Sequence, residues 1–124
     1  MNNRSKTFKQ HIGNTGEDAA AEVLQQRGFK ILERNYTVHN VGEIDIIAEK
    51  DNDIYIFEVR SRLNKGVYPD STESVTGSKR KKVARTAEWY VAGNNLYDRN
   101  VVFEVIKVTH DAQGNTLRVE LIPF

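Results

Sequence analysis

Two acidic side chains stand where acids seldom occur: Asp45 within Gly42-Glu43-Ile44-Asp45-Ile46-Ile47-Ala48, and Glu58 within Ile54-Tyr55-Ile56-Phe57-Glu58-Val59-Arg60. Both runs are otherwise built mainly of apolar, strand-forming residues. A buried carboxylate without a partner costs several kcal/mol, comparable with the stability margin of a small domain, so each must meet a positive charge. If the two come close, their mutual repulsion is relieved by a divalent cation between them. Hard oxygen ligands with a nearby backbone carbonyl favour Mg²⁺ or Mn²⁺. The structural alternative is that Glu58 and Arg60, which share a strand face, pair with other charges of the chain while Asp45 sits at an exposed edge.

The elements that must hold these residues can be read from spacing. Thr15 followed by Asp18 resembles a capping box, and Ala19, Ala20, Val23 and Leu24 give helical spacing, so a helix is expected from about Thr15 to Arg27 with Gly28 closing it. Strands are expected at 29–36, 44–48 and 54–60. The polar cluster at 49–53 turns the last two into an antiparallel hairpin. With the turn centred near Asp51 or Asn52, Asp45 faces Phe57 or Glu58. The segment Ser61 to Gly77, rich in Gly, Pro, Ser and Thr, reads as a substrate-facing loop. Ser78 caps a second helix to about Ala92, with Val83, Ala84, Ala87 and Val91 on one face and Gly93 as its stop. Strands at 101–109 and 116–122, joined through Gln113-Gly114-Asn115, complete a single domain with its core at about 13–124 and a polar segment at 1–12.

The series Gly16-Glu17, Asn35-Tyr36, Gly42-Glu43-Ile44-Asp45 and Phe57-Glu58-Val59-Arg60 resembles the YraN-like family of predicted nucleases, from about Gly13 to Val108. That family looks like part of the restriction-endonuclease-like, or PD-(D/E)XK, superfamily. The resemblance implies an α/β fold with a mixed central sheet flanked by helices. It also implies a site in which Asp45, Glu58 and the Val59 carbonyl hold Mg²⁺ or Mn²⁺, Glu17 is a supporting acid, and Arg60 closes the motif. Two positions depart from the pattern. Ile44 replaces the motif's proline, which does no chemistry, and Arg60 replaces its lysine. Arginine stays protonated, so Arg60 cannot act as a general base but can orient a phosphate or stabilise developing negative charge. On the residues alone, Glu17 reads first as a favourable charge in the first turn of a helix, and only the resemblance makes it a site residue.

Lys79, Arg80, Lys81, Lys82 and Arg85 put five cations into residues 79–85, at the start of the second helix. Cations there oppose the helix dipole, which lends weight to a phosphate-binding role beside the plainer reading of a solvated face. Eighteen Lys and Arg against seventeen Asp and Glu leave a net charge of +1, so any attraction to nucleic acid must come from such clustering. His11, His39 and His110 lack ligand spacing, while Tyr68, Trp89 and Tyr90 could stack on bases, with core or groove filling the commoner role for the last two. There is no cysteine, which excludes disulfides and thiolate-bound zinc and is compatible with a reducing cytoplasm. No run is long and apolar enough for a membrane span, and no secretory signal is visible at the N-terminus.

The leading expectation is a metal-dependent nuclease acting on DNA phosphodiesters. The family's further similarity to archaeal Holliday-junction resolvases points to branched or structured DNA. The alternatives are a nucleic-acid-binding module of the same fold without cleavage, and a protein-interaction domain. DNA versus RNA and the oligomeric state stay open, with a homodimer among the options.

Overall fold

The computed structural model describes residues 8–64 and 76–124. Its elements are α1 (Phe8–Gln26), β1 (Lys30–Val38), β2 (Gly42–Lys50), β3 (Asp53–Leu63), α2 (Gly77–Gly93), β4 (Val101–His110) and β5 (Thr116–Pro123). The strands form one sheet in the order β1-β2-β3-β4-β5. All neighbours are antiparallel except β3 and β4, which run parallel. A parallel pair needs a crossover, and α2 supplies it. The expected mixed sheet flanked by helices is therefore the architecture adopted, and no described helix is long and apolar enough to cross a membrane.

The β2–β3 turn fixes the register on which the candidate site depends. Asp51 and Asn52 have φ of 52° and 72°, the pair of left-handed residues that a twist-matched two-residue hairpin requires. Pairing then runs from Lys50↔Asp53 to Ile46↔Phe57. Arg99 clamps the turn, with its Nε donating to Asn52 O at 2.6 Å and its guanidinium paired with Glu49.

Each sheet face is covered by one helix. Ala20, Ala21 and Leu24 of α1 pack with Phe29, Ile46, Ala48, Phe57, Ile106 and Val108. On the other face, Val83, Ala87 and Tyr90 of α2 pack with Ile44, Ile47, Ile54 and Ile56. Strands with both faces covered are nearly continuous in apolar residues, which is why β2 and β3 show little alternation.

Three expected helix boundaries are corrected. The first helix begins at Phe8, so Thr15 and Asp18 lie inside it and are not a cap. Its end is as expected: Gly28 has φ of 92°, and Phe29 N–H returns to Leu24 O at 2.9 Å, with Gly28 N–H on Gln25 O at 3.1 Å. The second helix is capped by Thr76, not Ser78, with the Thr76 side chain accepting from Lys79 N–H at 3.2 Å, and it closes at Asn94, one residue past Gly93. Residues 61–63, expected in the loop, belong to β3; most of the expected loop, Tyr68 included, lies outside the described residues. Tyr90 is core, meeting Tyr36 edge-on at 5.2 Å, whereas Trp89 is exposed.

Gly42 is required by the approach of α2. A methyl group there would lie 2.6 Å from Thr86 Oγ1 and 3.3 Å from Lys82 O, and Thr86 is itself fixed by a 2.7 Å bond to Lys82 O. Gly42→Ala should therefore cost about 1–3 kcal/mol by overpacking, read from urea midpoints. Adding Thr86→Ala removes the clashing hydroxyl, so the double change should be less harmful than the sum of the single changes. Strict additivity would show that this contact does not demand the glycine.

Candidate functional site

Strand alternation would place residues 44 and 46 on one face of β2. They lie on opposite faces: Ile44 packs with α2 and Ile46 with α1. The neighbouring strand makes the same exchange. Arg34 reaches Asp18 of α1 at 2.9 Å, while Tyr36 reaches Tyr90 of α2, and Asn35 between them has φ of 54°. The cross-strand pairs Arg34↔Ile46 and Tyr36↔Ile44 thus stay together through the switch. Asp45 is the residue at which β2 changes faces. Its Oδ2 accepts from the Val59 N–H of β3 at 2.8 Å.

That position perturbs Asp45. Its carboxyl is pushed up to about 6: burial raises it most, the Val59 hydrogen bond pulls it down, and the charges of Glu17, Glu58 and Glu43 add to the rise. The idea that Asp45 sits at an exposed edge is therefore corrected. Continuing the Ile46↔Phe57 register by one step brings Asp45 to Glu58, and both acids line one cavity of about 440 Å³ together with Glu43, Thr76, Ser78, Lys79 and Lys82.

Glu58 is treated differently. It is almost completely buried and carries two ion pairs, with Arg60 Nε on Oε2 at 3.0 Å and Lys79 Nζ on Oε1 at 2.9 Å. Arg60 meets it because the two side chains share a face of β3. Lys79 comes from the first turn of α2, where its backbone N–H donates to the Thr76 cap.

Glu17 is on α1, 3.6 Å from Arg34, and is felt by Asp45 through its charge. Among the described residues no three acidic, histidine or cysteine side chains group to hold a metal, so Glu17 does not join Asp45 and Glu58 as a third ligand here. The basic run is divided by the helix. Lys79 and Lys82 face the acidic cavity, while Lys81, Lys82 and Arg85 line a neighbouring groove with Asn40, Val41, Gly77 and Ser78. Arg80 instead donates to Phe124 O at 3.0 Å. Sequence reasoning assigned Lys79 to phosphate binding and missed its contact with Glu58. Thr76, three residues before Lys79, was the available signal for how the helix is set.

The donors suit a hard divalent ion. An antiparallel residue sends its N–H and C=O to the same neighbour, so the Val59 carbonyl lies on the same side of β3 as the N–H that meets Asp45. Two carboxylates and a carbonyl match an ion that keeps several waters, as Mg²⁺ does, and do not match a structural zinc site with four protein ligands.

The folded chain holds the Asp45 proton more tightly than the unfolded chain, in which a carboxyl titrates near 3.8. The sign follows. Asp45 lowers stability as pH rises from about 4 through 6, and the penalty is complete above that. Asp45→Asn, neutral throughout, should be more stable than wild type by about 1–2 kcal/mol at pH 8, with the advantage fading toward pH 4. Denaturant unfolding at pH 4, 6 and 8 measures this, and a difference independent of pH would refute it.

A model of the Uncharacterised protein family UPF0102 matches residues 16–108. A UPF0102 protein of Clostridioides difficile is 44% identical over 109 residues, covering 87% of this chain and 88% of its own. One from Dictyoglomus turgidum is 37% identical over 123 residues, covering 99% and 98%. Among solved structures, an XisH family protein from Nostoc punctiforme aligns with a TM-score of 0.36 and 13% identity, over 85% of this chain and 98% of that one. An fdxN element excision controlling factor protein from Anabaena variabilis aligns at 0.34 and 12%, over 86% and 98%. At those scores neither structure lends this chain a residue role. The sequence relatives extend over nearly its whole length, and the family match takes in Glu17, Asp45, Glu58 and the basic run: the chain belongs to the UPF0102 family.

Proposed function

We propose that this protein is a metal-dependent nuclease that hydrolyses DNA phosphodiesters, with Asp45 and Glu58 as its Mg²⁺ or Mn²⁺ ligands. The observation carrying this reading is that a carboxylate destabilised by burial, Asp45, lines one cavity with the buried Glu58, beside the cationic first turn of α2. The restriction-endonuclease-like arrangement of mixed sheet and flanking helices is in keeping with it.

A bound divalent ion would supply an activated water and neutralise charge at the scissile phosphate. The chain's own groups do the rest. The Val59 N–H orients Asp45, and the Val59 carbonyl adds a third oxygen from the same side of β3. Arg60, held against Glu58, orients a phosphate and cannot take a proton. Glu17 acts from outside the ligand set through its charge. Lys81, Lys82 and Arg85 grip the backbone beyond the reacting phosphate.

The paired state of Glu58 favours one second reading, a nucleic-acid-binding module in which Glu58, Arg60 and Lys79 form a structural cluster. Single-stranded, duplex, flapped and four-way DNA, with RNA counterparts, incubated with Mg²⁺, Mn²⁺ or EDTA separate the two. The nuclease reading expects divalent-dependent cleavage that Asp45→Ala and Glu58→Ala each reduce by about 100-fold or more. Cleavage that survives both changes removes the assignment, and tight binding without cleavage under any metal supports the module. The double variant Lys81→Ala/Arg85→Ala should weaken DNA binding and lower the slope of log affinity against log salt by about 2. An unchanged slope would take these residues out of the interface.

A further inference from the structure

The reading of Asp45 and Glu58 as a divalent site leaves Lys79 unexplained. Its Nζ stands 2.9 Å from Glu58 Oε1, and it lines the same cavity as both acids. Lysine in the first turn of a helix is disfavoured by the helix dipole, so its placement there asks for a reason. A buried carboxylate left without a counter-charge is worse still. Glu58 is 6% exposed, and Arg60, at 22%, already satisfies its other oxygen.

We infer that Lys79 is a resident cation that occupies the Glu58 side of the site until a divalent ion displaces it, an inference that rests on the metal-site reading above. The side chain of Lys79 is 55% exposed. An ammonium so open to water gives up an ion pair at small cost, because solvation replaces most of what the pair provided. Arg60 is much less exposed and is fixed on the strand that carries Glu58. It stays, so the exchange is specific to Lys79. Once displaced, the ammonium remains tethered to α2 beside the cavity it lines and is available to an anion entering there. Lys79 is in this sense a positioning residue. It keeps the empty site compact and lowers its affinity for metal, so that filling the site releases a cation toward the phosphate side.

The test is metal affinity without nucleic acid, by calorimetric Mn²⁺ titration of the full chain, with thermal shifts in Mn²⁺ as a second measurement. Lys79→Ala and Lys79→Gln should each tighten Mn²⁺ binding by about three- to fivefold, the upper part of the factor an exposed ion pair represents. Lys79→Arg, which keeps the pair, should stay within about twofold of wild type by the same reasoning. Lys82→Ala is the control for the general field, since it removes a cation from the same cavity that has no ion pair to Glu58 among those described. It should change affinity less than Lys79→Ala. Equal effects of the two alanine changes, or no tightening in Lys79→Ala while wild type binds Mn²⁺, would overturn the inference and leave the metal site standing. Binding absent from wild type and from all Lys79 variants would instead remove the metal-site reading and this inference with it. Folding is checked separately by unfolding midpoints without metal, where Lys79→Gln serves if Lys79→Ala is too unstable to titrate.

Discussion

The bond from Val59 N–H to the Asp45 carboxylate organises the end of the sheet where β2 and β3 part. The recorded β2–β3 pairing ends at Ile46↔Phe57, and the next backbone donor on that side of β3 is met by a side chain instead of a strand. The interaction compensates a backbone group that the shortened pairing would leave without a partner. It also holds a carboxylate at a depth where water would otherwise be its best company. That is the circumstance in which an acid is costly to the empty protein and useful to a ligand. The face exchange at Asn35 and Asp45 follows from the same constraint. For Asp45 to lie along the sheet, the residues on either side must face opposite ways, and β1 matches the change through the left-handed Asn35. Asparagine tolerates that conformation better than most residues, which gives the Asn35-Tyr36 pair a physical meaning.

Much of this was legible in the sequence. The two-residue turn at Asp51-Asn52, the uninterrupted apolar strands and the Gly28 helix stop each follow from local chemistry, and local chemistry survived folding. The hairpin was readable from the turn, which left Asp45 opposite Phe57 or Glu58; the pairing Ile46↔Phe57 selects the second. The errors are equally local. Thr76 and Ser78 are both competent caps, and only the position of the helix against the sheet decides between them. Thr15 with Asp18 imitates a capping box inside a longer helix, because a capping pattern does not exclude helix on its N-terminal side. Trp89 and Tyr90 are adjacent aromatics on α2, and the angle at which the helix meets the sheet buries the second and exposes the first.

What the sequence could not supply was the site's tertiary part. Lys79 lies 21 positions from Glu58 and meets it only because α2 packs on the sheet face that Glu58 shares. The close approach of α2 at Gly42 belongs to the same arrangement, with Thr86 and Lys82 on the helix side of that contact. Gly16 has the parallel role for α1. A methyl group on it would run into Ser61 Oγ, just beyond Arg60 on β3. Gly16 and Gly42 are both places where a helix comes down on the sheet beside a candidate site residue. Their neighbours Glu17 and Glu43 both act on Asp45 through charge.

The two central acids therefore have different electrostatic histories. Glu58 is neutralised from two directions by cations the chain provides, and its burial is already compensated. Asp45 is described with only a neutral amide and is opposed by three other carboxylates. On the proposed metal-site reading, a divalent ion between them would gain chiefly at Asp45, whose carboxylate meets an amide N–H, and would give some of that back at Glu58, where Lys79 would have to leave. Arg60 sharpens this asymmetry, because a guanidinium holds Glu58 in a fixed geometry and at any pH keeps its proton. In the proposed exchange the cation that leaves Glu58 would therefore be Lys79, from the first turn of α2.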